Sequence, residues 1–266
     1  MRLNYSACSH IGSVRQNNED NLYVPGRIIP YESSDAVFSA TGDTDLPCIF
    51  AVCDGMGGQE FGEYASYTTV CGLAWLEFVI KTEPPEKTDS LVQEYVSKIN
   101  NTICEKMRKE SAQIGTTLAM VIITADEIRA YNIGDSRIYA LIDGELLQVS
   151  EDHNMSMQKV NMGMLTMEEA RHDHDRNKLT RYLGMIEDDM ILKAEPLPLL
   201  DIQTHCPILI ASDGLTELVE DQKIKEVLQS VPAKDAAELL VIAALEKGGK
   251  DNVTCIVIDV LSEKTA

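Results

Sequence analysis

The sequence predicts an α+β sandwich in which strand-rich blocks alternate with paired helices. Short apolar runs separated by turn residues fill residues 115–150, whereas residues 62–110 show helical periodicity. This order differs from the strict strand–helix–strand alternation of a parallel sheet. The 266 residues, of which 44% are hydrophobic, can build one sizeable core, although length alone equally allows two domains. Because no linker divides the chain, we expect one domain over residues 1–266.

Three long helices are predicted. The first covers about residues 62–81, and the second covers about residues 90–110 with an apolar residue at every fourth position. Asp89 or Ser90 would suit the N-cap of the second helix. The third, at residues 233–247, ends at a pair of glycines, the residue type favoured just after a helix C-terminus.

Residues 115–150 predict an antiparallel meander of four strands. The dipeptide Asp143–Gly144 suits a two-residue hairpin loop, because both central positions of that loop need positive φ. The four strands of the meander lie at residues 117–123, 128–133, 138–142 and 146–149. Three further strands are predicted at residues 49–53, 208–211 and 253–260.

Residues 154–181 interrupt this pattern, since they are first rich in methionine and then charged. A short helix is predicted within them, from Thr166 to His172. We interpret the segment as a mobile insertion beside a functional site, and an ordinary surface excursion is an equal alternative. Its methionines suit either an adaptable surface that faces a substrate or the filling of gaps in a core.

Composition excludes several classes of protein. The formal net charge of −20 repels nucleic-acid phosphates and anionic membrane surfaces, so we expect neither partner. The seven cysteines are scattered through apolar runs without a Cys-x-x-Cys pair, which indicates reduced core residues rather than disulfides or a zinc cluster. The N-terminus lacks the apolar region of a signal peptide, and no apolar run approaches the roughly 20 residues of a membrane helix. We therefore expect a cytoplasmic protein, and a monomer.

Two of the apolar strands end in the dipeptide Asp-Gly, at Asp54 and at Asp213. A rigid strand would carry each carboxylate to its end, and the glycine lets the backbone turn and bring its carbonyl close to a ligand. Carboxylate and carbonyl oxygens are the ligands that Mg²⁺ and Mn²⁺ prefer. A single Asp-Gly is foremost a turn former, as at Asp143. The first site is more specific, because three glycines follow Asp54 within four positions.

Further charged residues adjoin other predicted elements. Asp251 immediately precedes the strand at residues 253–260, and one N-terminal segment contains Arg15, Glu19 and Asp20. A guanidinium suits bidentate binding of phosphate, and carboxylates suit hydrogen bonds to metal-bound water. Taken alone, the N-terminal segment is equally consistent with a solvated charge pair.

In order and type these segments resemble the protein phosphatase 2C-like (PPM) family of metal-dependent serine/threonine phosphatases, in its bacterial form. The resemblance covers nearly the whole chain. It implies a four-layer α-β-β-α sandwich of two antiparallel sheets flanked by helices, with a flap at about residues 154–181. It also includes the segments at residues 115–118, 132–137, 151–153 and 176–184.

The resemblance implies a centre of two Mn²⁺ or Mg²⁺ ions and the residues that hold them. Asp54 would bridge the two ions, and the carbonyl of Gly55 would bind one of them. Asp213 and Asp251 would hold the other ion. Asp135 resembles the residue that supports a third, weaker ion beside the flap.

The same resemblance implies the activity. Phosphoserine and phosphothreonine in proteins would be hydrolysed by direct attack of a metal-bridging hydroxide, opposing a serine/threonine kinase that is itself a possible substrate. Glu19 and Asp20 would contact metal-bound waters, and Arg15 would hold the phosphate. Many eukaryotic members carry a histidine as general acid where this chain has Met56, so a metal-bound water is our candidate for protonating the leaving alkoxide.

Other phosphate chemistries fit the residues less well. A cysteine phosphatase needs five residues between its cysteine and arginine, whereas six separate Cys8 from Arg15. Neither an Asp-x-Asp nucleophile after an apolar strand nor a P-loop is present. A zinc site at His172 and His174 lacks further ligands at a suitable spacing. The alternative from another class is a catalytically silent, phosphoprotein-binding relative, although every acidic position that the mechanism requires is present.

Overall fold

Two antiparallel sheets form the centre of the computed structural model, which describes residues 2–31, 37–57, 61–186, 192–194, 196–197 and 206–261. The strands are β1 (Arg2–His10), β2 (Asn21–Val24), β3 (Arg27–Ile28), β4 (Val37–Thr44), β5 (Cys48–Cys53), β6 (Gly55–Met56), β7 (Gly115–Thr116), β8 (Leu118–Ile123), β9 (Ile128–Ile133), β10 (Arg137–Ile142), β11 (Glu145–Gln148), β12 (Cys206–Ala211) and β13 (Val253–Leu261). The helices are α1 (Phe61–Thr82), α2 (Thr88–Glu110), α3 (Met155–Asn161), α4 (Met167–Arg171), α5 (Asp213–Thr216), α6 (Asp221–Ser230) and α7 (Ala233–Glu246), with a 3₁₀ turn at Pro85–Lys87.

The six-stranded sheet has the order β11-β10-β12-β13-β1-β4, and the five-stranded sheet has the order β3-β2-β5-β8-β9. A small ladder pairs β6 with β7. Within each sheet, neighbouring strands run antiparallel. The segment at residues 26–47, whose role the sequence left open, supplies β3 and the edge strand β4, while residues 32–36 lie outside the described part.

The packing of β5 shows why its sequence is an unbroken apolar run. Cys48, Phe50 and Val52 belong to the core between the two sheets, whereas Ile49 and Ala51 belong to the core beneath α1 and α2. Both faces of the strand are therefore buried. A third core packs α6 and α7 against the outer face of the six-stranded sheet. The predicted four-layer sandwich is confirmed, and no helix within the described ranges is long and apolar enough to cross a membrane.

The predicted meander is wrong in one respect. The strands lie where expected, but β9 belongs to the five-stranded sheet and β10 to the six-stranded sheet, so the chain crosses between the sheets at residues 134–136. Gly134 has φ +109° there, and a Cβ would lie 2.5 Å from the side chain of Thr117. The Asp143–Gly144 hairpin is confirmed, with φ of 51° and 78°.

The N-cap predicted for α2 is also wrong, because the helix begins at Thr88 and its N-cap is Lys87. The carboxylate of Asp89 faces the five-stranded sheet instead. It accepts hydrogen bonds from the Tyr131 hydroxyl at 2.6 Å and from the Arg129 guanidinium at 2.8 Å. Asp89 therefore joins α2 to β9 rather than capping the helix.

Residues 154–181, which we call the flap, contain α3 and α4. An isolated antiparallel bridge between Asn154 and Leu179 closes the base of the flap. The predicted short helix is confirmed as α4, with a capping box in which Thr166 and Glu169 exchange hydrogen bonds. Gap filling is wrong for four of the five flap methionines, which are between 38% and 69% exposed: Met155, Met162, Met164 and Met167.

Candidate metal centre

Carboxylates from both sheets meet at one edge of the sandwich. Asp54 follows β5 and Asp20 precedes β2, and both of these strands lie in the five-stranded sheet. Asp213 follows β12 and Asp251 precedes β13, which are strands of the six-stranded sheet. Asp135 lies in the crossover between the sheets. We call this meeting of strand ends the seam.

The seam opens into a cleft of about 510 Å³. Seven of the eight predicted site residues line this cleft, and Asp20 lies buried behind it. The seven are Arg15, Glu19, Asp54, Gly55, Asp135, Asp213 and Asp251.

Asp54 is held by the neighbouring strand. Its backbone N–H donates to the hydroxyl of Thr117 at 2.9 Å, and its carbonyl accepts from the backbone N–H of Thr117, also at 2.9 Å. The Thr117 hydroxyl lies 2.6 Å from that of Ser136, which follows Asp135. One threonine thus holds the backbone of Asp54 and the side chain of the residue that follows Asp135, a role that the sequence analysis did not assign to it.

Glycine is the only residue type that fits at position 55. A Cβ there would lie 2.2 Å from the carbonyl oxygen of Gly62 and 2.5 Å from that of Glu19. Both obstacles are backbone atoms, which cannot move aside as a flexible side chain can. The close packing therefore joins the N-terminal segment, the end of β5 and the start of α1 into one wall.

Asp20 is only 2% exposed and is incompletely paired. Its Oδ2 accepts a hydrogen bond from the Ser212 hydroxyl at 2.8 Å, whereas its Oδ1 has no hydrogen-bond partner in the described part of the chain. Burial raises the pKa of Asp20 to about 7, although the nearby side chains of Thr254 and Ser212 lower it. A buried carboxylate oxygen without a donor is an atom that a cation would satisfy.

The neighbouring carboxyls are perturbed in the same direction. Burial, followed by the charges of Asp20 and Asp213, raises the pKa of Asp54 well above its usual range. Burial also raises the pKa of Asp213 to about 6, with further contributions from Glu217 and Asp251. Like charges held together disfavour ionisation, and divalent cations would reverse this effect. The all-oxygen donor set therefore fits hard cations such as Mg²⁺ or Mn²⁺.

Asp135 has the same character. Burial is the largest cause of its raised pKa, and the charges of Asp213 and Asp152 add to it. Asp152 is itself ion-paired, because its two oxygens accept hydrogen bonds from the Arg137 guanidinium at 2.7 to 3.1 Å. The arginine of the 132–137 segment thus pairs with the aspartate of the 151–153 segment, and this ion pair adjoins Asp135.

Arg15 forms an ion pair with Asp251, with 2.7 Å between Nη2 and Oδ2. The sequence analysis gave these residues different ligands, phosphate for the arginine and a metal for the aspartate. The pair lies at the mouth of the cleft, and the arginine is half exposed. Exposed ion pairs of this kind contribute about 0–1 kcal/mol, so the guanidinium can exchange partners at little cost.

Asn252 is a residue whose role the sequence analysis missed. Its Oδ1 accepts from the backbone N–H of Glu19 at 2.9 Å, while its Nδ2 donates to the carbonyls of Ile11 and Asn17 at 2.9 and 2.8 Å. One buried amide thus binds the N-terminal segment to the start of β13. The available signal was its place between Asp251 and an apolar strand.

A second group of possible metal ligands lies in the flap. His174 is 3.0 Å from Asp173 and 3.2 Å from Asp175. Lys159 already pairs with both carboxylates, at 2.5 and 2.7 Å, and Lys178 pairs with Asp175 at 2.6 Å. These charges balance without a metal. His172, the other histidine of the rejected zinc site, instead lies beside Glu168.

The fold and the cleft together define the class: a four-layer sandwich protein with an oxygen-lined, acidic cleft of the kind that binds divalent cations. The family model described as protein phosphatase 2C matches residues 32–241. The chain belongs to the protein phosphatase 2C family.

Relatives agree with this membership. The serine/threonine protein phosphatase PstP of Mycobacterium tuberculosis is 33% identical over 97% of this chain, which spans 45% of the length of that protein. The serine/threonine phosphatase stp of Listeria monocytogenes is 29% identical over 93% of this chain and 92% of its own length. The crystal structure of the PstP catalytic domain in complex with two manganese ions covers 98% of this chain and 100% of that one, with 31% identity and a TM-score of 0.78.

Proposed function

We propose that this chain is a metal-dependent protein serine/threonine phosphatase that hydrolyses phosphoserine and phosphothreonine. The observation that carries the proposal is the meeting of Asp54, Asp213, Asp251 and the buried Asp20 at one seam. Membership of the protein phosphatase 2C family and the names of the relatives support the same activity.

The cofactors are two Mn²⁺ or Mg²⁺ ions, with a third ion as a further possibility. Asp54 would be shared by the two ions, the Gly55 carbonyl would hold one of them, and Asp213 and Asp251 would hold the other. Asp135 would support the third ion. When bound, such ions lower the pKa of a coordinated water and neutralise charge on the phosphate.

The remaining site residues have roles other than holding the ions. Arg15, at the mouth of this cleft, which we call the catalytic cleft, binds the phosphate of the substrate through its guanidinium. Glu19 and Asp20 accept hydrogen bonds from water on the inner side of the cleft. Met56 has no proton to donate and packs against Gly115, where a Cβ would lie 2.7 Å from its methyl carbon. The proton of the leaving alkoxide therefore has a source other than this position.

The substrates of the enzyme are phosphorylated proteins, and a serine/threonine kinase is the partner that it opposes, in a signalling role. We also propose that the enzyme is cytoplasmic and monomeric, that residues 1–266 form one domain, and that the flap is a subdomain beside the cleft. Asn177 and Leu179 of the flap line the cleft, which supports the last point.

Release of phosphate from phosphoserine and phosphothreonine peptides tests the proposal. We expect activity with Mn²⁺ or Mg²⁺ and loss of activity with a chelator. Asp213→Asn should lose most of the rate, whereas Asp126→Asn, in the exposed turn between β8 and β9, should keep it. If the chelator has no effect or Asp213→Asn keeps the full rate, the metal-dependent mechanism is wrong. A chain that binds phosphopeptides without releasing phosphate would instead be the catalytically silent relative.

A further inference from the structure

A second cavity of about 590 Å³ adjoins the catalytic cleft. Asp135 and Asp213 line both cavities, so the two meet at the metal centre. One wall of the second cavity is the flap, and the opposite wall is the segment at residues 216–221, from the end of α5 to the start of α6. A peptide whose phosphorylated residue occupies the catalytic cleft would extend into this space. We call it the flap cavity.

The walls of the flap cavity are partly apolar. Met157, Met167 and Ala170 contribute from the flap, and Leu218 and Val219 contribute from the opposite wall. Met167 is exposed, so the flap presents a flexible thioether to the cavity rather than burying it in a core. Such a surface adapts to side chains with methylene stems.

The flap cavity is lined by more carboxylates than arginines. Each of its three arginines is already paired with a carboxylate, and two carboxylates remain over besides Asp135 and Asp213 of the metal centre. Glu220 has no ion-pair partner among the described residues, and Glu168 has only His172, at 3.8 Å. The three pairs are Arg137–Asp152, Arg171–Asp221 and Arg176–Glu217.

Two of these pairs join the flap to the opposite wall, and both are exposed. The distances are 2.7 Å for Arg171–Asp221 and 3.1 Å for Arg176–Glu217. Exposed pairs contribute about 0–1 kcal/mol each. These two pairs therefore add little to the cohesion of the walls, and Glu168 and Glu220 are the groups that a cationic ligand can bind without displacing an arginine.

We propose that the flap cavity binds a lysine or arginine side chain of the phosphoprotein substrate, close in sequence to the phosphorylated residue. The inference rests on the proposed function and specifies its substrate class. The methylene stem would pack on Met157, Met167 and Leu218, while the cationic head would bind Glu168 or Glu220. Long cationic side chains bury their stems and keep their charged ends beside polar groups in this way. An acidic side chain would meet the two excess carboxylates and be repelled.

The test uses phosphoserine peptides that differ at one position, with arginine, norleucine or glutamate placed one to four residues from the phosphoserine. The kcat/KM of the manganese-loaded chain should be higher for an arginine peptide than for its norleucine counterpart, by up to about fivefold, the upper limit for one exposed ion pair, and lowest for glutamate. In the double variant Glu168→Gln/Glu220→Gln, the ratio of arginine to norleucine should fall close to one. The matched control Glu86→Gln, in the 3₁₀ turn before α2, should keep the ratio of the parent.

Phosphonate versions of the peptides, which cannot be hydrolysed, separate this inference from the proposed function. Their affinities, measured by fluorescence anisotropy, should show the same order even if no peptide is hydrolysed. Lack of turnover with this order intact would overturn the proposed function alone. Equal affinities for arginine and norleucine, a preference for glutamate, or a preference that survives in the double variant would overturn the cavity assignment.

Discussion

Replacing Asn252 with alanine should uncouple the N-terminal segment from the start of β13. The amide of this 5% exposed residue makes three hydrogen bonds, with the backbone N–H of Glu19 and the carbonyls of Ile11 and Asn17. A hydrogen bond of this kind contributes about 1 kcal/mol net, and alanine leaves three backbone groups without it. We therefore expect the free energy of unfolding to fall by about 3 kcal/mol.

Activity should fall as well, because the released segment carries both Arg15 and Glu19. A displacement of about 1 Å at such groups can lower the rate by up to about a hundredfold. Urea unfolding at fixed manganese concentration would give the stability, and hydrolysis of p-nitrophenyl phosphate would give kcat and KM. Because Arg15 binds the phosphate in our proposal, part of the loss should appear as a higher KM.

Two comparisons make the experiment specific. Asn252→Asp keeps the acceptor for the N–H of Glu19 but places a carboxylate against two carbonyl oxygens, so it should be at least as destabilising as alanine. Asn101→Ala, on the exposed face of α2, should change stability by less than about 0.5 kcal/mol. The reasoning is refuted if Asn252→Ala loses less than about 1 kcal/mol and keeps the parent KM.

Three further predictions concern other parts of the chain. A Cβ in Gly214→Ala would lie 1.9 Å from the backbone oxygen of Asn252, so we expect a loss of about 1–3 kcal/mol in thermal unfolding, and an unchanged midpoint would contradict the close packing. Six of the seven free thiols are buried, so iodoacetamide at pH 8 should modify the native chain once, at the exposed Cys71, and mass spectrometry should find no adduct on native Cys71→Ser. Hydrogen bonds from Lys159 and then Ser156 hold the pKa of Asp173 below its usual range. The ionised carboxylate therefore stabilises the fold above the ordinary carboxyl pKa, and this stabilisation is lost as pH falls through the lowered value. Lys159→Met should therefore raise that pKa in a carboxyl ¹³C NMR titration, and an unchanged titration would show that the contact is absent in solution.

The sequence predicts elements well where burial imposes a clear pattern. β5 and β12 are covered on both faces, so their sequences are continuous apolar runs, and β13 is apolar except for Thr254 and Asp259. β1 was missed although Leu3, Tyr5 and Ala7 alternate and all point into the core between the sheets. β4 carries almost no signal, since Ala40 is its only buried residue. α6 was missed because charged residues separate the few apolar residues that it buries.

The allocation of strands to sheets could not be predicted from local pattern. β9 and β10 have similar apolar sequences and are three residues apart, yet they lie in different sheets. What separates them is the crossover at Gly134, whose tight contact with Thr117 depends on a strand that is distant in sequence. A connection of three residues can form a hairpin within one sheet or a crossover between two sheets, and the local sequence does not distinguish them.

The candidate site divides in the same way. The types of residue at strand ends were enough to select its carboxylates, because a strand that ends in Asp-Gly carries that information locally. The contacts that hold the site together could not be predicted from the sequence. Arg15 and Asp251 are 236 residues apart, and the bonds of Asn252 span comparable distances. Such pairs follow from the closure of the sandwich, which no local segment encodes.

The seam has a thermodynamic consequence apart from chemistry. The five-stranded sheet supplies Asp20 and Asp54, and the six-stranded sheet supplies Asp213 and Asp251, so cations bound there cross-link the two sheets non-covalently. An ion that binds the folded chain and not the unfolded chain shifts the unfolding equilibrium by mass action. Above the dissociation constant, each tenfold rise in free ion would add about 1.4 kcal/mol per site to the stability of the fold. The same carboxylates would then make the cohesion of the sandwich depend on the divalent-ion concentration around it.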